Sequence, residues 1–135
     1  MPFVHPVHVT AADIDQLGHA NNLVYLRWVM EAALAHSAHL GLRQADYLTR
    51  GQVWVVRRHE IVYVKPAVLG DVLEVVTRVC SMAAATSERR TRIVRKADRA
   101  ELARAITDWV FVDHARGRPL RIPDDVRARF SLEPG

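Results

Sequence analysis

The segment from Leu23 to Leu40 constrains the fold most strongly, because helix-forming residues place apolar side chains on nearly every helical face. Leucine, methionine, alanine and glutamate favour a helix, and no proline or glycine interrupts the segment. Gly41 follows in the position where helices commonly end. Arg27 and Glu31 form only a narrow polar stripe. Since a helix that is apolar on all sides belongs in a protein interior, we expect other elements to enclose this one.

Alternation of apolar and polar residues, which is typical of β-strands, precedes and follows this helix. It predicts strands at Phe3–Thr10, Gln52–Lys65, Asp71–Met82, Ser87–Lys96 and Glu101–Asp113. The last two strands are predicted to form a hairpin around Ala97–Ala100. Pro123 suits the first turn of a short final helix, Asp124–Phe130.

One helix followed by consecutive strands indicates an α+β fold with an antiparallel sheet. A sheet of about five strands curled around one long buried helix is the hotdog arrangement, and we expect residues 1–135 to form a single domain of this kind. The other face and the edges of such a sheet would stay exposed in a monomer. We therefore expect a homodimer or a homotetramer.

Composition narrows the class of protein. The 135 residues include a single cysteine, so no internal disulfide can form. No apolar run reaches the roughly 18 residues of a membrane span, and the first residues lack the features of a signal peptide. The formal net charge of +4 favours anionic partners, but no nucleic-acid-binding motif is present. We expect a cytoplasmic protein that binds neither nucleic acid nor membrane.

The densest group of reactive side chains lies between Asp13 and Asn22, directly before the helix. It contains two carboxylates, an imidazole and two amides. The amino end of a helix presents unpaired N–H groups that can stabilise an oxyanion. A nearby aspartate supplies a nucleophile or a general base, although aspartates also commonly cap turns. This combination is sufficient to attack an activated carbonyl group.

The stretch Asp13–Asn22, DIDQLGHANN, with Tyr25 and Trp28 after it, resembles the first loop and helix of hotdog-fold acyl-CoA thioesterases of the 4-hydroxybenzoyl-CoA thioesterase type. The stretch Ile61–Asp71 resembles their second-strand signature. The similarity continues through Gly117–Pro123 and so covers nearly the whole chain. The first motif is fairly specific, whereas the second is only supportive.

The resemblance implies hydrolysis of an acyl-CoA thioester to the free acid and coenzyme A, without a cofactor or a metal. Asp15 occupies the position of the family aspartate that attacks the thioester or activates water. Backbone amides around Asn22 would polarise the carbonyl oxygen, and Gly18 would let the chain turn closely past the substrate. The acyl chain would lie along the helix, lined by Tyr25 and Trp28.

Alternatives for the site stay open. The form Gly-His-x-Asn-Asn also resembles acyl-carrier-protein thioesterases, some of which use a histidine and an asparagine, so His19 and Asn21 are further catalytic candidates. The substrate could therefore be carried by an acyl carrier protein instead of coenzyme A. A non-catalytic acyl-CoA-binding protein is a further alternative. Asp13 is expected to bond loop amides, and the Asn22 side chain to cap the helix.

Charged side chains outside the loop also call for an interpretation. His36 and His39 lie three residues apart without acidic or cysteine partners nearby, so we expect no metal site. The run Arg89–Lys96 is expected to be a solvated strand face, with a landing site for the phosphates of coenzyme A as the alternative. His59 and Glu60 are expected in a solvated or dimer-facing cluster, with a substrate-facing Glu60 as the alternative.

Overall fold

The computed structural model describes residues 1–134. Five strands and three α-helices follow one another along the chain: β1 (Phe3–His8), α1 (Asn22–His39), α2 (Gln44–Thr49), β2 (Gln52–Tyr63), β3 (Val72–Met82), β4 (Thr86–Arg95), β5 (Glu101–Asp113) and α3 (Asp124–Arg129). A 3-10 turn, Ala11–Asp13, precedes α1. The predicted strands and the long helix are confirmed to within two residues at each end, while α2 was not predicted.

All five strands form one antiparallel sheet in the order β1-β3-β4-β5-β2. The predicted α+β hotdog fold is therefore confirmed, as is the hairpin of β4 and β5. Although β2 precedes β3 in the chain, it pairs with β5 at the far edge of the sheet. The segment that connects β2 to β3 must therefore cross the sheet, and on its way it meets the loop before α1.

Ala67 joins this crossing segment to both the loop and α1. The Ala20 N–H donates to the Ala67 carbonyl at 2.9 Å, and the Ala67 N–H donates to the Tyr25 hydroxyl at 2.8 Å. Both Ala67 and Tyr25 are fully buried. Hydrogen bonds that water cannot replace thus fix the loop relative to the helix and the sheet.

One face of α1 packs against the sheet, through Tyr25, Trp28, Val29, Ala32 and Ala33. The opposite face is open, since Leu23 is 74% exposed and Leu34 is 46% exposed. The expectation that the helix is enclosed on all sides is therefore wrong for the single chain. The physical reason is that a five-stranded sheet covers only one side of a helix.

The space between the helices and the sheet holds two apolar clusters. One lies under the amino-terminal half of α1 and includes Val75, Ile93 and Ala105, while the other contains Val79 and Phe111 together with residues of α2 and α3. The strand positions between these clusters carry polar side chains that face the helices. This polar belt consists of His59, Thr77, Arg89, Thr91 and Thr107.

Replacing Tyr25 with phenylalanine should destabilise the protein, because it leaves the buried Ala67 amide without an acceptor. We expect Tyr25→Phe to lower the free energy of unfolding by about 1–3 kcal/mol in urea denaturation. Tyr63→Phe is the matched control, because its hydroxyl donates to the Asn22 carbonyl at an exposed position. That variant should lie within about 0.5 kcal/mol of the unsubstituted protein. Equal losses in the two variants would contradict the role given to Ala67.

Candidate active site

Asp15 begins a tight turn at the tip of the loop. The Gly18 N–H donates to the Asp15 carbonyl at 3.1 Å, and the Asp15 N–H donates to the His19 carbonyl at 2.9 Å. Gly18 has a φ of +79°, a conformation that side chains with a Cβ disfavour. The Asp15 Oδ1 atom accepts from the Leu17 N–H at 2.9 Å, whereas Oδ2 accepts no hydrogen bond from residues 1–134. One carboxylate oxygen of Asp15 is therefore free for chemistry.

Asp13 holds the base of the loop. Its carboxylate is 4% exposed, accepts from the Thr10 N–H at 2.9 Å and pairs with Arg27 at 2.7 Å. Burial alone would raise the pKa of Asp13, but the Thr10 amide and the Arg27 guanidinium outweigh it and lower the pKa. Both carboxylate oxygens are engaged, which agrees with the structural role expected for Asp13.

The amino end of α1 is capped one residue earlier than predicted. The Asn21 side chain accepts from the Leu23 N–H at 2.9 Å, and the Asn21 backbone is not helical. The expectation that Asn22 caps the helix by its side chain is therefore wrong, because Asn22 is already the first helical residue. The Asn22 N–H donates to no group of residues 1–134. This amide lies at the positive end of the α1 dipole and can bind an oxygen.

The structure brings five of the predicted site residues together in one short loop: Asp15, Gly18, His19, Asn21 and Asn22. The His19 side chain is exposed, and its backbone faces Asp15 across the turn. The other two candidates, Tyr25 and Trp28, are 2% and 1% exposed. They lie in the core on the face of α1 that contacts the sheet.

A cavity of about 140 Å³ lies along the carboxyl-terminal half of α1. Its walls are mainly apolar and include Met30 and Leu34 from α1, Trp54 from β2 and Trp109 from β5. Tyr25 and Trp28 do not line it, because helical periodicity turns them toward the sheet while Met30 and Leu34 point to the cavity. The acyl pocket expected along α1 therefore has a structural candidate, but with different wall residues.

Arg89 also borders the cavity, and here the expectation of a solvated strand face is wrong. Arg89 is 5% exposed, and its Nη1 atom donates to His36 Nδ1 at 2.9 Å and to Thr77 Oγ1 at 3.0 Å. Its neighbours follow the expectation, since Arg90 and Arg92 pair with Glu88 and Glu101 on the outer face. Strand alternation is the signal that could have identified Arg89, because Ile93 points inward and positions two and four residues before it share that face.

Burial lowers the pKa of Arg89 to about 10, so the guanidinium stays protonated at neutral pH. Burial, together with the charge of Arg89, lowers the pKa of His36 to about 4. His36 is therefore neutral at pH 7, and its Nδ1 atom must accept, because a guanidinium can only donate. The same bond occupies one of the two histidines that were considered as metal ligands.

The remaining cluster expected to be solvated divides between two faces of β2. His59 is partly buried in the polar belt, where its Nδ1 atom lies 2.9 Å from Thr107 Oγ1. Glu60 is exposed and pairs with Arg58 at 3.0 Å. A register shift between Val56 and Arg58 changes the side-chain alternation, which turns His59 toward the helices.

Comparison with known proteins identifies the family. The sequence model of the thioesterase-like superfamily matches residues 9–130. The chain belongs to this superfamily. The predicted membership of the hotdog thioesterases is therefore confirmed, and with it the prediction of a thioester hydrolase.

Two curated relatives differ in the carrier that their names give. The chain is 29% identical over 128 residues to the acyl-CoA thioester hydrolase YbgC of Escherichia coli, covering 95% of each protein. It is 33% identical over 109 residues to the chloroplastic palmitoyl-acyl carrier protein thioesterase of Arabidopsis thaliana. That alignment covers 76% of this chain but only 26% of the plant protein.

A solved structure shows the same fold. The 1,4-dihydroxy-2-naphthoyl-CoA thioesterase Slr0204 from Synechocystis superposes with a TM-score of 0.89, covering 96% of this chain and 95% of that one at 21% identity. Among residues 1–134, no helix is long and apolar enough to cross a membrane. The same residues contain no group of three or more histidine, cysteine, aspartate or glutamate side chains placed to hold a metal ion.

Replacing Asp13 with asparagine should destabilise the protein in a pH-dependent manner. Since the pKa of Asp13 is lower in the folded chain than its ordinary value of 3.8, its contribution is complete above that pH and is lost as the pH falls through the folded-state pKa. We expect Asp13→Asn to lower the free energy of unfolding by about 1–3 kcal/mol at neutral pH. Urea denaturation at decreasing pH should show this difference shrinking below 3.8. A difference that stays constant across this range would contradict the assignment.

Proposed function

We propose that the protein hydrolyses acyl-CoA thioesters to the free acid and coenzyme A, with Asp15 as the reacting carboxylate. The observation that carries this proposal is that two unpaired groups lie close together before and at the start of α1. One is a carboxylate oxygen of Asp15, and the other is the backbone amide of Asn22. The similarity to the acyl-CoA thioester hydrolase of Escherichia coli along 95% of both chains supports coenzyme A as the carrier.

The two groups have complementary tasks in this reaction. The Asn22 amide donates to the carbonyl oxygen of the thioester and stabilises the negative charge that develops there. Asp15 either attacks the carbonyl carbon, forming a mixed anhydride that water then hydrolyses, or removes a proton from the attacking water. In both routes the carbon–sulfur bond breaks and coenzyme A leaves as the thiolate, which then takes up a proton.

Hydrolysis of an acyl-carrier-protein thioester is the second candidate, favoured by the similarity to the plant palmitoyl-acyl carrier protein thioesterase. His19 and Asn21 would take part in that case. The side-chain oxygen of Asn21 already caps α1, so only its amide nitrogen is free to donate. His19 is exposed beside Asp15, where a protein-borne substrate could reach it.

We further propose that the protein is a homodimer formed through β2. This strand is a long sheet edge, and Val55, Val62 and Tyr63 along it are 44%, 41% and 46% exposed. Such an edge favours pairing with another strand. If two β2 strands pair antiparallel about their midpoint, Tyr63 of one copy lies next to the beginning of β2 in the other copy, where Val53 and Trp54 border the cavity. Because the Tyr63 hydroxyl bonds Asn22, the loop of one copy would then lie beside the cavity of the other.

We also propose a cytoplasmic location, which is compatible with one free buried cysteine.

Replacing Asp15 with asparagine should abolish most of the activity without unfolding the protein. Asparagine keeps the Oδ1 acceptor for the Leu17 amide but removes the charge. We expect Asp15→Asn to lower kcat by about two to four orders of magnitude in an assay of free-thiol release from acyl-CoA. Asp98→Asn is the matched control, because Asp98 Oδ1 accepts from the Ala100 N–H in a turn of the same kind. Near-normal turnover by Asp15→Asn would refute the role of Asp15.

The carrier can be decided by rates on matched substrates. The same acyl group on coenzyme A and on acyl carrier protein should be hydrolysed faster from coenzyme A. A reversed preference that also depends on His19 would favour the second candidate. Thermal stabilisation by coenzyme A without any thiol release would instead indicate a non-catalytic binding protein.

Light scattering should give a particle mass of twice the 15.3 kDa of one chain. Charged side chains on a strand edge oppose edge-to-edge pairing, so the double variant Val55→Lys, Val62→Lys should shift the protein to the monomer. Val4→Lys is the control on β1, because Val4 is also 44% exposed but lies at the opposite edge. Loss of the dimer in Val4→Lys alone would place the interface on β1 instead.

A further inference from the structure

The cavity along α1 is bordered by one charged group that hydrolysis of the thioester does not use. Arg89 is 5% exposed, and its Nε and Nη2 atoms make no hydrogen bond to residues 1–134. A buried polar group with unpaired donors is costly, so its presence beside a cavity is informative.

The positive charge of Arg89 is not compensated by the protein. Its hydrogen bonds go to two neutral acceptors, His36 and Thr77, and no carboxylate of residues 1–134 pairs with it. The carboxyl end of α1 carries a partial negative charge near His36, but this is weaker than a carboxylate and satisfies none of the free N–H groups. A buried cation normally has an anionic partner.

Arg89 determines the chemistry of an occupant. A guanidinium can only donate hydrogen bonds, and it stays protonated at neutral pH. The occupant must therefore accept hydrogen bonds, and the charge of Arg89 favours an anion. The walls formed by Met30, Leu34 and Trp54 require that the rest of the occupant be apolar.

The size of the cavity limits that apolar part. Its volume of about 140 Å³ is close to the roughly 150 Å³ of an apolar protein cavity that admits a benzene molecule. A short aliphatic segment or one ring therefore fits, whereas a long fatty acyl chain does not fit within one copy.

We propose that this cavity binds the end of the acyl group farthest from a thioester held at the loop of the facing copy, and that Arg89 selects acyl groups that end in a carboxylate. The preferred substrates are then half-thioesters of dicarboxylic acids. The choice of an acyl group as occupant rests on the proposed function. The affinity of the cavity for the free acids does not depend on catalysis.

Calorimetric titration with free acids tests the site itself. Adipic acid and hexanoic acid are the matched pair, and suberic and octanoic acid are the next longer pair. We expect the protein to bind the dicarboxylic member of each pair more tightly. Arg89→Met should weaken that binding by about 10- to 100-fold, because it removes a hydrogen-bonded charge. Arg92→Met is the control, since Arg92 lies on the outer face of the same strand and pairs with Glu101.

Circular dichroism should confirm that Arg89→Met and Arg92→Met retain the fold.

Turnover separates this proposal from the proposed function. We expect the ratio of kcat/KM for adipoyl-CoA to that for hexanoyl-CoA to exceed one and to fall in Arg89→Met. Thiol release without preference for the dicarboxylic member, together with no difference in binding of the free acids, would overturn the selective site and leave the hydrolase. Tight binding of free dicarboxylic acids without thiol release would retain the site and overturn the proposed function. A loss of stability in Arg89→Met with an unchanged ratio would reduce Arg89 to a structural role.

Discussion

The burial of one face of α1 against the antiparallel sheet is the interaction on which the rest of the structure depends. It fixes the amino end of the helix beside the crossing segment, where Ala67 receives the loop. It also fixes the carboxyl end above the second apolar cluster, where the cavity forms. Because one rigid helix carries both ends, the reacting loop and the cavity of the same chain are held about 20 Å apart, at about 1.5 Å per residue from Asn22 to His36.

The loop before α1 depends on this arrangement but also stabilises itself. Asp13 bonds Thr10 and Arg27 at its base, and Asp15 bonds Leu17 at its tip. Two aspartates two residues apart thus have opposite environments. The buried one has both oxygens engaged, while the more exposed one keeps an oxygen free. This division explains how a D-x-D sequence can provide structural support and chemistry in the same turn.

Much of the fold could be predicted because it depends on local patterns. Period-two alternation identified every strand, and the bounds of β5 were predicted without error. What the local patterns did not predict depends on neighbours that are distant in sequence. The exposure of Leu34 follows from how far the sheet extends, and the pairing of β2 with β5 follows from the crossing segment. The helix cap was displaced by one residue because Asn21 and Asn22 are chemically equivalent as caps, and only the backbone geometry distinguishes them.

Arg89 shows why the interior of the candidate site was harder to predict than its loop. An arginine in a basic strand is expected to face water, yet alternation from Ile93 directs Arg89 and Thr91 inward together. There the polar belt lies between two apolar clusters and offers Arg89 only neutral acceptors. An uncompensated buried charge lowers the free energy of unfolding. An anionic ligand that pairs with this charge stabilises the folded protein when it binds. The same burial that makes Arg89 unfavourable in isolation therefore makes it effective at distinguishing a carboxylate from a methyl group.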